Sequence, residues 1–245
     1  MDLNFRKPIH ILAFLMLLIS FFVILIMPIL LFFDIISFQD PEFVQNIDYF
    51  NEIFLLIFQL ILALVLFILI PIFWYLLVNN TTLKQSLYKM RIRLENIDIA
   101  FLYGILATIA MYALSFILVA VLEFSGANIQ DISNIQDIEL YFSPIPMFIL
   151  IAIMPVAEEI FFRGFLLDKI NNYAGKNITI FSTAILFGIA HMEYAKIYPV
   201  VLTFLMGIIL AYIVFKTKNL FSAIIAHVTY NVIVYVMYIL ASSLN

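Results

Sequence analysis

The segment PVAEEIFFRGFLLD, residues 155–168, places two glutamates and an arginine inside a long apolar stretch. A charged side chain near the centre of a bilayer costs roughly 2.5–3.5 kcal/mol on insertion scales. Charged residues within membrane-spanning helices are therefore rare, and they usually mark functional sites. The segment raises the question of what Glu158, Glu159 and Arg163 do there.

The composition of the chain is that of an integral membrane protein. Of the 245 residues, 66% are hydrophobic and only 11% are charged, whereas soluble domains carry about 25% charged residues. The chain has no cysteine, which excludes disulfides, thiolate metal sites and a cysteine nucleophile. Its lysines and arginines form no stripe of the kind that binds nucleic acid. We therefore expect a lipid bilayer around the protein and no nucleic-acid partner.

Charged residues divide the apolar sequence into seven candidate spans. A helix needs about 20 apolar residues to cross the hydrocarbon core. The sequence predicts such helices at about residues 9–33, 53–78, 99–122, 143–167, 178–192, 199–215 and 220–240. The first apolar stretch is too long for a signal peptide, and no small-residue cleavage site follows it. We predict an all-α, polytopic bundle of about seven transmembrane helices.

The charges between the spans predict the orientation of the bundle. Every second connection is basic, with Arg6, Lys7, Lys84, Lys89, Arg91, Arg93, Lys169, Lys176, Lys216 and Lys218. The alternate connections are acidic, with Asp34, Asp40, Glu42, Asp48, Glu52, Asp131, Asp137 and Glu139. Lys196 is the only lysine or arginine on that side. Because cytoplasmic loops carry an excess of lysine and arginine, we expect the N-terminus in the cytoplasm and the C-terminus outside. The basic segment at residues 83–98 is either a short interfacial helix or a solvated loop.

Few strongly polar groups lie within the later spans apart from the opening segment. Glu159 and Arg163 are four residues apart, so they face the same way on a helix and can form an ion pair. Glu158 is rotated by about 100° from its neighbour, which leaves its carboxylate free. The segment FGIAH (187–191) adds His191, and HVTYN (227–231) adds a histidine and an asparagine on one face of the seventh span.

Four of these groups lie at similar depths in the membrane. At about 1.5 Å per residue, Glu158 lies roughly 13 Å from the cytoplasmic end of its helix, and His191 about 20 Å from the same face. His227 and Asn231 lie at about 11 and 17 Å. A single histidine would commonly be only a hydrogen-bonding partner for a neighbouring helix, and Phe187 is interpreted as packing. The common depth of the four groups predicts one site.

The residue types at this site suit hydrolysis. A carboxylate and a histidine can activate water, because one accepts its proton while the other orients it. A second histidine and an asparagine amide can donate hydrogen bonds to a developing oxyanion. The sequence has no HExxH zinc motif, no GxSxG-like serine site with a partnered histidine, and no pair of aspartates within a span. The pattern therefore favours hydrolysis of an amide bond within the membrane.

Three motifs of the later spans resemble those of a known family. EEIFFR (158–163), FGIAH (187–191) and HVTYN (227–231) resemble the EExxxR, FxxxH and HxxxN motifs of the CAAX protease and bacteriocin-processing family of intramembrane proteases. That family includes CAAX prenyl endopeptidases, Abi proteins and bacteriocin self-immunity proteins. The resemblance covers about residues 145–235. It implies an intramembrane endopeptidase that cuts a membrane-anchored peptide or protein near the cytoplasmic face of a prokaryotic cell membrane.

The resemblance also implies a role for each residue. Glu158 and His191 would activate the attacking water, and His227 and Asn231 would form the oxyanion hole. Glu159 and Arg163 would hold the geometry of the site. We accordingly divide the chain into residues 1–142, three spans with a basic cytoplasmic loop, and residues 143–245, a catalytic core of four spans.

Other functions and a metal remain open from the sequence. Some members of the family have been labelled metalloproteases, and Glu158, His191 and His227 would suffice as ligands for a catalytic zinc. We favour a site without a cofactor, because the asparagine and the second histidine fit oxyanion donors. A proton-coupled transporter also places Glu, His and Arg at mid-membrane, but it usually shows repeated halves. A non-catalytic immunity or scaffold protein could share the same fold.

Overall fold

The structure is a computed structural model that describes residues 3–36, 48–126, 135–192 and 196–243. Asp40, Glu42 and Asp131 of the predicted acidic connections lie outside these ranges. Within them the chain forms helices and no β-strand, so the predicted all-α class is confirmed. The helices are α1 (Pro8–Phe32), α2 (Tyr49–Leu77), α3 (Leu83–Lys89), α4 (Ile97–Phe124), α5 (Ile135–Glu139), α6 (Pro144–Ala190), α7 (Ile197–Thr217) and α8 (Phe221–Ser242).

Six of the described helices are long and apolar enough to cross a membrane. One of them, α6, is much longer than the others. It contains 47 residues and is interrupted at Gly175, whose backbone has φ 72° and ψ 172°. Arg163 and Phe187 would lie about 36 Å apart in a continuous helix. The Arg163 guanidinium carbon lies 4.0 Å from the centre of the Phe187 ring, so the chain reverses at Gly175. The protein is therefore a multi-pass membrane protein, and α6 counted as two passages gives the predicted seven.

Gly175 permits this reversal through its backbone conformation. A residue with a side chain is strained at φ 72°, whereas glycine adopts positive φ readily. No neighbouring atom lies within 4 Å of the place where a Cβ would be, so crowding does not require the glycine. We call residues 144–174 the first arm of α6 and residues 176–190 its second arm.

Apolar packing surrounds the first arm on two sides. One buried cluster joins α1 and α2 to the first arm, with Trp74, Phe161 and Phe165 among its members. A second cluster joins α4, α7 and α8, with Met111 and Leu210 among its members. The part of the first arm that carries Glu159 and Arg163 is thus inside the bundle, which is why these two side chains are removed from both lipid and solvent.

The first arm is also irregular where it carries the charges. Residues Ile160–Leu166 are π-helical, directly after Glu159 and including Arg163. Such wide turns appear mostly as short insertions in α-helices, frequently at functional sites. Two other π-helical segments, Phe22–Ile26 and Leu64–Leu69, lie just before prolines in α1 and α2. Proline lacks a backbone N–H and so disturbs the regular α-helical hydrogen bonds there.

The basic segment at residues 83–98 begins with a short helix, α3. Thr82 and Gln85 form a reciprocal capping box at its start. The following turn is held by main-chain contacts, because Leu220 N–H donates to the carbonyl of Arg91 at 2.9 Å. Of the two predicted alternatives, the structure therefore contains the helix, followed by a packed turn. The N-terminus in the cytoplasm and the division of the chain at residue 142 both stay predictions.

Candidate active site

Glu159 and Arg163 form the ion pair that their spacing predicts. Arg163 Nη1 donates to Glu159 Oε1 at 2.8 Å, and both side chains are fully buried. Burying either charge alone would cost several kcal/mol, so each residue makes the burial of the other possible. Gly207 on α7 provides the space for the guanidinium, because a Cβ there would lie 3.3 Å from Arg163 Nη2 and 3.0 Å from Ala184 Cα.

His227 is bound to the same carboxylate, a contact that the sequence did not reveal. Its Nδ1 lies 2.9 Å from Glu159 Oε1. A carboxylate that pairs with an arginine is ionised and can only accept hydrogen bonds. His227 therefore carries a hydrogen on Nδ1 and donates it to Glu159. The tautomer follows from this partner, and in the neutral ring Nε2 is then an acceptor.

Glu158 has different surroundings from its neighbour. Its side chain is 17% exposed, whereas that of Glu159 is fully buried. Glu158 Oε2 lies 4.0 Å from His227 Nε2, which is longer than a hydrogen bond. One carboxylate is therefore fixed between a guanidinium and an imidazole, and the other is accessible beside that imidazole.

His191 lies at the end of a helix and not within it, which corrects the predicted span of 178–192. The second arm of α6 ends at Ala190, and His191 is the capping residue that follows. Its Nδ1 lies 2.8 Å from the carbonyl oxygen of Phe187. A carbonyl can only accept, so His191 also carries its hydrogen on Nδ1, and its Nε2 remains an acceptor. The ring lies within electrostatic range of Glu158 and His227.

Phe187 packs against both histidines and the arginine. Its ring centre is 4.6 Å from that of His191 and 5.7 Å from that of His227. The Arg163 guanidinium lies against the same ring at 4.0 Å. Phe187 therefore packs as predicted: it contacts both imidazoles, and it holds the ring of His191 through both its side chain and its carbonyl.

Asn231 lies one turn beyond His227 on α8 and is half-buried. It makes no hydrogen bond to the other described site residues. The structure therefore brings five of the six predicted residues into one contact network, and places Asn231 beside it through the register of α8.

Polar residues of α4 also reach α8, although the family resemblance does not extend to the first three spans. Tyr112 donates its hydroxyl hydrogen to the carbonyl oxygen of Tyr230 at 3.0 Å. The hydroxyl oxygens of Ser115 and Tyr230 lie 2.7 Å apart. Thr108 donates to the carbonyl of Ala226 at 3.3 Å. These bonds hold the section of α8 that carries His227 and Asn231.

A catalytic zinc would need three protein ligands around one point. Zinc bonds to nitrogen and oxygen ligands are about 2.0–2.2 Å long. Among the residues that the structure describes, no three His, Cys, Asp or Glu side chains are grouped closely enough to hold a metal ion. Glu158, His191 and His227 therefore do not fit zinc in this arrangement, although their chemistry would suit it.

The later spans match a known family. Residues 141–233 match the family model described as type II CAAX prenyl endopeptidase Rce1-like. The matched range is less than half of the chain, but it contains all six predicted site residues. The predicted resemblance is therefore confirmed for this region. No curated protein and no solved structure matches the chain.

Proposed function

We propose that this chain, with its Rce1-like CAAX endopeptidase region at residues 141–233, is an intramembrane endopeptidase. Its substrate would be a membrane-anchored peptide or protein, cut near the cytoplasmic face. The family match suggests a protease of the CAAX endopeptidase type. The observation that carries the mechanism is the difference between the two adjacent glutamates, since Glu158 is accessible and Glu159 is buried in an ion pair.

Water activation is assigned to Glu158 and His191. Both present acceptors, because Glu158 is not bound by the buried arginine and His191 donates its Nδ1 hydrogen to the Phe187 carbonyl. One water molecule can then donate one hydrogen to the Glu158 carboxylate and the other to His191 Nε2. Its lone pair is left for the substrate carbonyl carbon. Glu158 takes the proton as the water attacks, which is general base catalysis.

The tetrahedral oxyanion would be stabilised by Asn231 and His227. The Asn231 amide has two N–H donors. His227 can donate from Nε2 only once it holds a second proton, because Glu159 already receives its Nδ1 hydrogen. Glu158 lies 4.0 Å from Nε2, so a small movement would pass on the proton taken from water. The resulting imidazolium keeps Glu159 as its counter-charge and can donate to the oxyanion.

The same proton completes the reaction. When the carbon–nitrogen bond breaks, the proton taken from water leaves on the amine nitrogen, and the remaining hydroxyl stays on the new carboxyl group. Glu158 and His227 return to their starting states. No cofactor is needed for this sequence of steps.

The test is a comparison of the membrane proteome in cells that express the wild type or Glu158→Gln. New peptide termini should be present with the wild type and absent with the variant. The matched control is Glu123→Gln, the same chemical change at an exposed position near the end of α4, which should give the wild-type termini. Identical termini with wild type and Glu158→Gln would favour the non-catalytic immunity or scaffold function.

A further inference from the structure

The basic end of the bundle carries a cation cluster that the proposed catalysis does not use. Lys169, in the first arm of α6, has its Nζ 3.9 Å from the centre of the Tyr75 ring and 2.7 Å from Asn79 Oδ1. Lys89, the last residue of α3, has its Nζ 5.7 Å from the same ring. Two ammonium groups from separate helices therefore gather at one aromatic side chain.

A second ring gathers two more cations. The Arg91 guanidinium carbon lies 5.4 Å from the centre of the Phe215 ring, and Lys176 Nζ lies 5.9 Å from it. Asp168 connects the two groups, because it accepts a hydrogen bond from the Tyr75 hydroxyl and lies within electrostatic range of Arg91. The cation cluster thus consists of Lys89, Arg91, Lys169 and Lys176.

The chain is folded so that these cations stay together. Met90 is fully buried, and a Cβ on Gly164 would lie 3.3 Å from the Met90 Cβ. The turn after Met90 is fixed by Asn219, whose Nδ2 donates to the carbonyls of Arg93 and Glu95 at 3.0 Å each. Lys89 and Arg91 are therefore held on a packed segment and not on a free loop.

Arg91 lacks a full set of acceptors in this position. Burial lowers the pKa of its guanidinium, an effect that the nearby Asp168 opposes. Its Nη1 is buried and has no hydrogen-bond partner among the described residues. An anion with several acceptor oxygens would satisfy such a guanidinium through strong charge-assisted hydrogen bonds.

Exposed apolar side chains next to the cations favour a lipid over a dissolved anion. On the same segment, Leu83 is 53% exposed, Tyr88 57% and Leu94 77%. The segment lies between the end of α2 and the start of α4, where membrane helices meet the headgroups. Apolar side chains beside lysine and arginine are typical of segments that lie at the boundary of headgroups and acyl chains.

We propose that the cation cluster binds the phosphate of an anionic phospholipid in the cytoplasmic leaflet. The phosphate oxygens would accept from Arg91 and from the lysines, while the acyl chains cover the exposed leucines. Basic pockets between membrane helices on this side are known to take anionic headgroups. The bound lipid would hold residues 90–96 against Gly164, next to the ion-paired Arg163. This binding is independent of the proposed peptidase activity.

The experiment measures lipid binding to the purified full-length protein. Native mass spectrometry reports retained lipid, and thermal unfolding reports stabilisation, after addition of phosphatidylglycerol, phosphatidylcholine or inorganic phosphate. We expect phosphatidylglycerol alone to be retained preferentially and to raise the unfolding midpoint. The variant Lys89→Gln/Lys176→Gln changes two exposed side chains, so it should fold. Its preference for phosphatidylglycerol over phosphatidylcholine should fall by at least about fivefold. Each cation near an anionic lipid raises the affinity by about that factor.

The matched control is Arg6→Gln/Lys7→Gln. It removes two exposed positive charges from the same side of the protein and should keep the wild-type preference. Three results would overturn the proposal: an unchanged preference in the cluster variant, an equal loss in the control, or an equal effect of inorganic phosphate on the wild type. The last would mean an anion site without a lipid.

Discussion

His227 donates its Nδ1 hydrogen to Glu159 Oε1 at 2.9 Å, the same oxygen that Arg163 reaches at 2.8 Å. One buried carboxylate oxygen therefore serves a cation on its own helix and an imidazole on α8. Glu159 thus fixes which nitrogen of His227 faces Glu158, in addition to neutralising Arg163.

This bond predicts the tautomer of His227. In nitrogen-15 spectra of the labelled protein, neutral His227 should carry its hydrogen on Nδ1, and so should His191 because of its bond to the Phe187 carbonyl. The chain has only three histidines, so replacing each in turn assigns the signals. In Glu159→Leu/Arg163→Met no acceptor remains at position 159, and the Nδ1 form of His227 should lose its dominance. A neutral wild-type His227 with hydrogen on Nε2 would contradict the geometry.

The ion pair predicts the stability of Glu159 variants. Glu159→Gln leaves Arg163 buried without a counter-charge and should lower the free energy of unfolding by about 3–5 kcal/mol. Denaturation of the detergent-solubilised protein measures the loss. Adding Arg163→Met should recover much of it, because an apolar side chain tolerates the same position. If Glu159→Gln unfolded like the wild type, the pair would not be stabilising in this way.

Glu158 should behave in the opposite manner. Glu158→Gln removes the base but strands no buried cation, so we expect the free energy of unfolding to stay near the wild-type value. The rate of substrate cleavage should fall by about 10²–10⁴-fold, the usual contribution of a general base. A stable but inactive Glu159→Gln together with an active Glu158→Gln would reverse the two assignments.

The sequence predicted the spans well because charges are excluded from a bilayer, but hydropathy measures membrane contact and not helicity. The polar stretch DKINNYAGKN (168–177) separates the fourth and fifth predicted spans. In the structure, the helix continues through most of this stretch and breaks only at Gly175. The end of the second arm at Ala190, which leaves His191 as a cap, likewise has no signal in the apolar pattern.

The sequence also predicted the pair of Glu159 and Arg163, because their spacing alone places them together on a helix. The bond from His227 to Glu159 joins residues 68 positions apart. It depends on how α8 is rotated against the first arm, and side-chain packing between helices sets that rotation. The same packing determines why Glu158, and not its neighbour, remains accessible.

Metal dependence is a separate prediction. If water is activated by Glu158 and His191 alone, the purified enzyme should keep its activity after exhaustive chelation and dialysis. Metal analysis of the same sample checks that the ion was removed. Loss of activity on chelation, followed by recovery with one equivalent of zinc, would require Glu158, His191 and His227 to move together as ligands.

The depth of the site predicts where substrates are cut. Glu158 lies ten residues before Asp168, which places it about 15 Å inside the basic end of the bundle, and His227 lies six residues after the start of α8, or about 9 Å inside. Unpaired backbone cannot lie in lipid, so an extended peptide must enter through a cavity that opens towards this end. The scissile bond should therefore fall close to the membrane anchor of the substrate on the cytoplasmic side, whether the anchor is a lipid or a helix. Terminal sequencing of the products by mass spectrometry measures the position, and a reporter fused after Asn245 checks that the C-terminus is outside. With that orientation established, cleavage at the outer face or far from the anchor would contradict the placement of Glu158.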